Sequence, residues 1–328
     1  MDLTDKWLRE PNWSWNPSGE PSGYVHEWIQ KIQEVKSPPE CIIYGAPLSK
    51  SSISVSGASL YPEVFRKLWK QFAAYNFEEE IDLTSYTVAD AGDILMHTTD
   101  VAESHRRIEI ATSALKRTFP KSTLCMIGGD HSTTACAIRG LRSEQPNRTI
   151  GILQLDTHLD VRNPAEYGPA NGTPIRQLID EGVVRGNHIV NIGLHGYYNT
   201  KSLVEYAKKH HIRTYSMKEA RKTGVAMLIE QELMRLSSEV DLIYVTVDMD
   251  VLDISFAPGV PAATPGGMRT EELFEGLLSI GKFKDVSHID FVCLDPSRDS
   301  RIEETCRIGV HAWLQFMTGR MIGKRERE

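Results

Sequence analysis

Short apolar runs alternate with longer amphipathic stretches along nearly the whole chain. The runs at Cys41–Tyr44, Thr123–Ile127, Ile150–Leu155, His188–Ile192, Leu242–Val247 and Ile289–Leu294 are close to continuously apolar. Strands with that pattern are buried on both faces, as parallel strands are. Between them, hydrophobic spacing near the helical period predicts helices over 61–75, 101–118, 132–143, 173–182, 201–210, 225–237, 270–281 and 301–318. Repeated strand–helix alternation predicts a parallel sheet with helices on both faces, an α/β sandwich. Residues 1–40 are rich in Trp, Pro, Ser and Gly and predict an irregular lead-in with one short helix. No linker or internal repeat divides the rest of the chain, so residues 1–328 are expected to form a single domain.

Composition narrows the function. The 328 residues are 41% hydrophobic and 25% charged, with net charge −7 and no long basic run. A nucleic-acid surface or an anionic-membrane surface is therefore not expected. The N-terminus lacks a basic stretch followed by an apolar one, and no apolar segment is long enough to span a bilayer. The five cysteines (Cys41, Cys125, Cys136, Cys293, Cys306) are odd in number and have no CxxC spacing. They read as reduced thiols of a cytoplasmic protein rather than a disulfide framework or a zinc site.

The candidate chemistry sits just past strand ends, where loops of α/β sheets converge over ligands. Gly128-Gly129-Asp130-His131-Ser132 follows one strand, Asp156-Thr157-His158-Leu159-Asp160 a second, and Asp248-Met249-Asp250 a third. In an extended segment, side chains at i, i+2 and i+4 share a face, which would point Asp156, His158 and Asp160 to one side. Alone, the first cluster is a common polar turn and the third reads equally well as a solvated Asp pair, whereas the apolar run before Asp156 argues against full solvation of the second. Together they bring two imidazoles and four carboxylates to one sheet edge, where they would repel and desolvate one another without cations. Mixed His and Asp ligation suits Mn²⁺, Fe²⁺, Ni²⁺, Co²⁺ or Zn²⁺, and six ligands exceed what one ion with an open position uses. A pair of divalent ions sharing carboxylates accounts for the count, and such a pair activates water near neutral pH.

GGDHS, DTHLD and VDMDVLD resemble the three metal motifs of the arginase, or ureohydrolase, superfamily, and the likeness runs from about Ile42 to Val310. Within it, the stretches Pro47–Ser54 with Ser56–Ser59, Asp160–Asn163, Asn171–Pro174, and Val247–Asp253 followed by Ala257–Gly259 and Pro265–Gly267 are most similar to the formimidoylglutamase branch. The resemblance implies a three-layer α/β/α sandwich around a mainly parallel eight-stranded sheet, carrying two Mn²⁺ ions, with Ni²⁺ as the alternative. It implies His131, Asp156, Asp160 and Asp248 on one ion, and Asp156, His158, Asp248 and Asp250 on the other. Asp160 and His158 would be the catalytic residues, Asp160 accepting a hydrogen bond from a bridging hydroxide. The implied reaction is hydrolysis of N-formimidoyl-L-glutamate to L-glutamate and formamide by a homo-oligomer, a trimer or hexamer.

Such a small-molecule substrate carries two carboxylates, so cationic and amide donors are expected at the pocket mouth. Arg162, Asn163, Asn171, Ser51 and Ser52 are the candidates. Three positions depart from the wider superfamily. Cys293 stands where a Glu usually holds the amidinium, His195 lies in a loop where Gly-x-Arg is common, and Asn171 replaces a proton-shuttling His. Cys293 and His195 join the expected substrate-binding set on that account. The competing readings are another guanidine or amidine hydrolase with a remodelled pocket, and a non-catalytic metal-binding subunit.

Overall fold

The computed structural model describes residues 7–11 and 23–328. Of the lead-in expected over 1–40, residues 1–6 and 12–22 lie outside the described residues, and Val25–Trp28 is a one-turn helix. Eight strands follow in chain order: Cys41–Gly45 (β1), Val88–Ile94 (β2), Thr123–Ile127 (β3), Ile150–Leu155 (β4), Ile189–Leu194 (β5), Arg213–Ser216 (β6), Leu242–Asp248 (β7) and Val286–Val292 (β8). They lie in the order β2-β1-β3-β8-β7-β4-β5-β6, and each neighbouring pair is parallel. Two short strands extend the β2 edge, Leu8–Arg9 antiparallel and Gln30–Lys31 parallel to it. The expected mainly parallel sheet is thus present.

Side chains alternate between two cores. Ile42, Tyr44, Ile150 and Ile152 enter one, and Ile43, Leu153 and Leu155 the other. Helices Val101–Thr118 and Ser132–Glu144 pack together over the first core. Over the second, Glu304–Arg325 packs on Thr270–Lys282, which packs on Val225–Glu239. Helices therefore cover both faces, and the strand C-terminal ends are left for loops. The C-terminal ends of β3, β7 and β4, all near the sheet centre, carry the three motif loops.

Two strands break the hydrophobic pattern and were not predicted. β2 is fully buried yet contains Asp90 and Asp93, whose carboxylates meet the buried Arg66 at 2.7 and 2.8 Å. The ion triad satisfies these charges inside the core, so polarity there does not mean exposure. β6 is a sheet edge with exposed Arg213 and Thr214. The last strand starts at Val286 rather than Ile289 and ends at Val292, because Cys293 turns into the left-handed region at φ 67°.

Candidate metal centre

After β3 the chain must turn sharply to begin helix Ser132–Glu144. A Cβ on Gly129 would stand 1.7 Å from the Leu48 carbonyl oxygen, so only glycine allows this approach. His131, fully buried, then points across the ends of β4 and β7. The extended geometry expected for Asp156–Asp160 does not form. The chain bends at Thr157 and His158, and Asp160 adopts φ 53°; these bends bring the three side chains together. Asp250 likewise sits in the single 3₁₀ turn Met249–Val251 that follows β7.

Two groups of donor atoms result. His131 Nδ1 lies 2.8 Å from Asp160 Oδ2, 3.1 Å from Asp248 Oδ2 and 3.3 Å from Asp156 Oδ2. His158 Nδ1 lies 2.9 Å from Asp250 Oδ2 and 3.6 Å from Asp156 Oδ1. Asp156 thus offers one oxygen to each group, and ligand atoms of His131, Asp156 and Asp248, and of Asp156, His158 and Asp250, fall within 4.8 Å of one another. Ligands at about 2.1 Å from an ion in octahedral array stand about 3.0 Å apart, close to these spacings.

The electrostatics call for cations. Among the described residues, none of the four carboxylates has a Lys or Arg within ion-pairing distance; their partners are His131 and His158. His131 Nδ1 is buried and faces three carboxylates at once. Burial opposes charge on His131, yet hydrogen bonding to Asp156, Asp160 and Asp248 outweighs it and holds its pKa well above the usual imidazole range. His158 is treated alike: burial opposes its charge, but Asp250 and Asp156 push its pKa to about 12. Burial and the neighbouring Asp156 push Asp160 up to about 6, and burial with Asp248 raises Asp250 well above the carboxylate range. Four clustered carboxylates are neutralised by two divalent ions, so the residues present fit a binuclear centre.

Residues other than the six candidate ligands brace this centre. Gln154 donates to Asp156 Oδ2 at 2.7 Å, and the Thr157 amide donates to Asp250 Oδ1 at 3.3 Å. Asn191 donates to the His158 carbonyl at 2.6 Å, while Asn199 accepts from the Leu159 amide and donates to the Thr157 carbonyl, both at 2.9 Å. Sequence reasoning passed over all of them. Gln154 and Asn191 carried a signal, each as a polar residue inside an apolar strand.

The arginase family profile matches residues 39–319. This chain belongs to the arginase family. Formimidoylglutamase of Halalkalibacterium halodurans is 41% identical to it over 280 residues, 85% of this chain and 87% of that one. The Bacillus subtilis formimidoylglutamase is 38% identical over 287 residues, 88% of each chain. The crystal structure of the B. subtilis protein superposes with a TM-score of 0.86 at 35% identity, covering 98% of both chains. Proclavaminate amidinohydrolase of Streptomyces clavuligerus is 30% identical over 253 residues, 75% of this chain and 78% of that one. Among the described residues of this arginase-family chain, no helix is long and apolar enough to cross a membrane.

The arginase fold brings the expected substrate residues to different places. Ser51 and Ser52 line a hollow with Lys50, Tyr167 and Ala170. Arg162 and Asn163 line the neighbouring hollow, which shares Tyr167 and adds Arg176 and Tyr206, two residues the sequence did not single out. The Arg162 guanidinium lies over the Tyr167 ring at 5.4 Å and, among the described residues, meets no carboxylate at ion-pair distance. Ser51 Oγ donates to Asp130 Oδ2 at 2.9 Å and meets Ser132 Oγ at 2.7 Å, tying this loop to the His131 turn. Asn163 is occupied locally, accepting from the Ala165 amide at 3.1 Å and donating to Glu166 at 3.1 Å. Asn171 accepts from the Ile53 amide at 2.8 Å. Cys293 is buried at the floor of the centre, where Sγ donates to Asp248 Oδ2 at 2.8 Å. His195 lies apart, between the Gly193 carbonyl at 2.8 Å and Thr264 Oγ1 at 2.9 Å.

Proposed function

We propose that this chain hydrolyses N-formimidoyl-L-glutamate to L-glutamate and formamide. The carrying observation is the pair of donor groups around Asp156, with Arg162, two residues past Asp160, lining a hollow together with Arg176. His131, Asp156, Asp160 and Asp248 would hold one divalent ion, and Asp156, His158, Asp248 and Asp250 the other, Mn²⁺ in preference to Ni²⁺. When bound, two such ions activate water and stabilise charge developing on the amidine. Attack forms a C–O bond at the amidine carbon, the C–N bond to the glutamate nitrogen breaks, and that nitrogen takes up a proton.

The chain's own residues supply binding and proton handling. Asp160, buried at 2.8 Å from His131 in the same cluster, takes a proton from the attacking water and returns it to the leaving nitrogen. His158 supports the same cluster from the more open side. Asn171 cannot transfer a proton, which leaves that role to Asp160 or to water at the metal site. The free guanidinium of Arg162 pairs with a substrate carboxylate, with Ser51, Ser52, Asn163 and Asn171 shaping the mouth. Cys293 stands beside Asp248 in place of an acidic partner, while His195 lies apart on Gly193 and Thr264. The functional form is a cytoplasmic homo-oligomer, trimer or hexamer; sedimentation velocity showing a monomer would remove that part.

The test is a substrate panel on Mn²⁺-loaded protein. Formamide release from N-formimidoyl-L-glutamate should exceed urea release from agmatine, arginine or guanidinobutyrate by orders of magnitude. Faster urea release would favour the second reading, a guanidine hydrolase with a remodelled pocket, which the thiol at Cys293 supports. Two bound ions and no turnover of any amidine would leave the non-catalytic subunit.

A further inference from the structure

We propose that Asp290 is a positioning residue for the metal centre, setting the tautomer of His131 through Thr134 and Thr246. This inference rests on the assignment of His131 as a ligand through Nδ1. Asp290 lies on β8 directly beside Thr246 on β7, its register partner. It is fully buried and, among the described residues, has no cationic partner. It is a carboxyl placed in the core where an apolar side chain would pack, and the proposed reaction gives it no contact with substrate.

Proton counting gives it a role. Tyr244 donates its hydroxyl proton to Asp290 Oδ2 at 2.5 Å, and Thr134 donates to the same oxygen at 2.7 Å. A hydroxyl carries one proton, so Thr134 Oγ1 can only accept at its other contact, Thr246 Oγ1 at 3.4 Å. The Thr246 proton thus has an acceptor in Thr134, and with it placed there Thr246 Oγ1 offers a lone pair to His131 Nε2 at 2.9 Å. With a metal ion in place, His131 would carry its proton on Nε2 and turn its Nδ1 lone pair toward the site among Asp156, Asp160 and Asp248. An imidazole whose Nε2 proton is accepted in this way is held in the orientation and tautomer that ligation requires. His158 has no such relay: among the described residues, its ring contacts are Asp156, Asp250 and the edge of Tyr198.

The prediction is site-selective. Thr246→Val removes the acceptor, and Asp290→Ala removes the group that orients the hydroxyls. Each should weaken Mn²⁺ binding at the His131 site by about 10- to 100-fold, with a smaller effect at the His158 site. Thr246→Ser keeps the hydroxyl and should bind within about threefold of wild type. Calorimetric titration of metal-depleted protein with Mn²⁺ reads both sites. Wild-type constants in Thr246→Val and Asp290→Ala, or equal weakening at both sites, would overturn the proposal. If those variants fail to fold, Thr134→Ala removes only the hydroxyl between Asp290 and Thr246. It should weaken Mn²⁺ binding selectively at the His131 site, and wild-type constants there would overturn the proposal. A wild type that does not bind two ions would instead overturn the ligand assignment on which the proposal rests.

Discussion

Removing the ions should lower the melting temperature by an amount that counts them. Four carboxylates converge without Lys or Arg partners, so the folded chain binds divalent ions at a preformed cluster that the unfolded chain lacks. An ion at 100 times its dissociation constant stabilises the fold by about 2.7 kcal/mol, so two ions contribute about 5 kcal/mol. Unfolding entropy is about 2.1 cal/mol/K per residue, hence about 0.7 kcal/mol/K for this chain, and the expected shift is about 8 °C. Each further tenfold rise in free metal adds about 1.4 kcal/mol per ion, or about 4 °C per decade for two ions and about 2 °C for one. Calorimetry of chelator-treated protein across several decades of free Mn²⁺ reads that slope. A slope of about 2 °C would reduce the centre to one ion, and no slope would refute the metal reading.

Other expectations rest on single residues. Asp250→Ala should leave the circular dichroism spectrum unchanged but abolish metal-dependent hydrolysis, and near-normal turnover would remove Asp250 from the ligands. Arg162→Leu should lower kcat/KM for the dicarboxylate substrate by roughly 10- to 150-fold, the equivalent of about 1.5–3 kcal/mol for a charge-assisted contact, mostly through KM; an unchanged KM would place Arg162 outside the pocket. Cys293→Glu puts a second carboxylate beside Asp248 and should shift the ratio of formamide to urea release by about tenfold or more, whereas an unchanged ratio would make Cys293 a core thiol. His105 is buried and its pKa is lowered to about 4, first by desolvation and then by Arg139. Its folded pKa lies below its unfolded value, so the folded state resists protonation and stability is lost as pH falls from about 6.5 toward 4, by about 3 kcal/mol. Denaturant titrations of wild type and His105→Asn should differ in this window, and parallel pH profiles would contradict the assignment.

Much of this architecture was legible because parallel strands advertise themselves. Thr123–Ile127, Ile150–Leu155 and Leu242–Asp248 are continuous apolar runs, and the motif residues follow each directly. β2 was hidden because Asp90 and Asp93 read as exposed, and only the structure shows Arg66 between them. β6 was hidden because an edge strand need not be apolar. The six clustered residues stand out in the sequence, but the bends that gather them do not, since left-handed backbone at Asp160 and Cys293 has no signature in residues other than glycine. The support around the ligands was least visible. Thr246 and Asp290 are ordinary polar residues in apolar strands until the sheet register places them side by side.

The central claim is that two ions, together, make the site work. Metal-depleted protein titrated with Mn²⁺ in stoichiometric steps, with formamide release from N-formimidoyl-L-glutamate followed at each step, tests it most directly. Activity should stay low through the first equivalent, rise with the second and level off at two ions per chain. Full activity at one equivalent, or none at two, would contradict it.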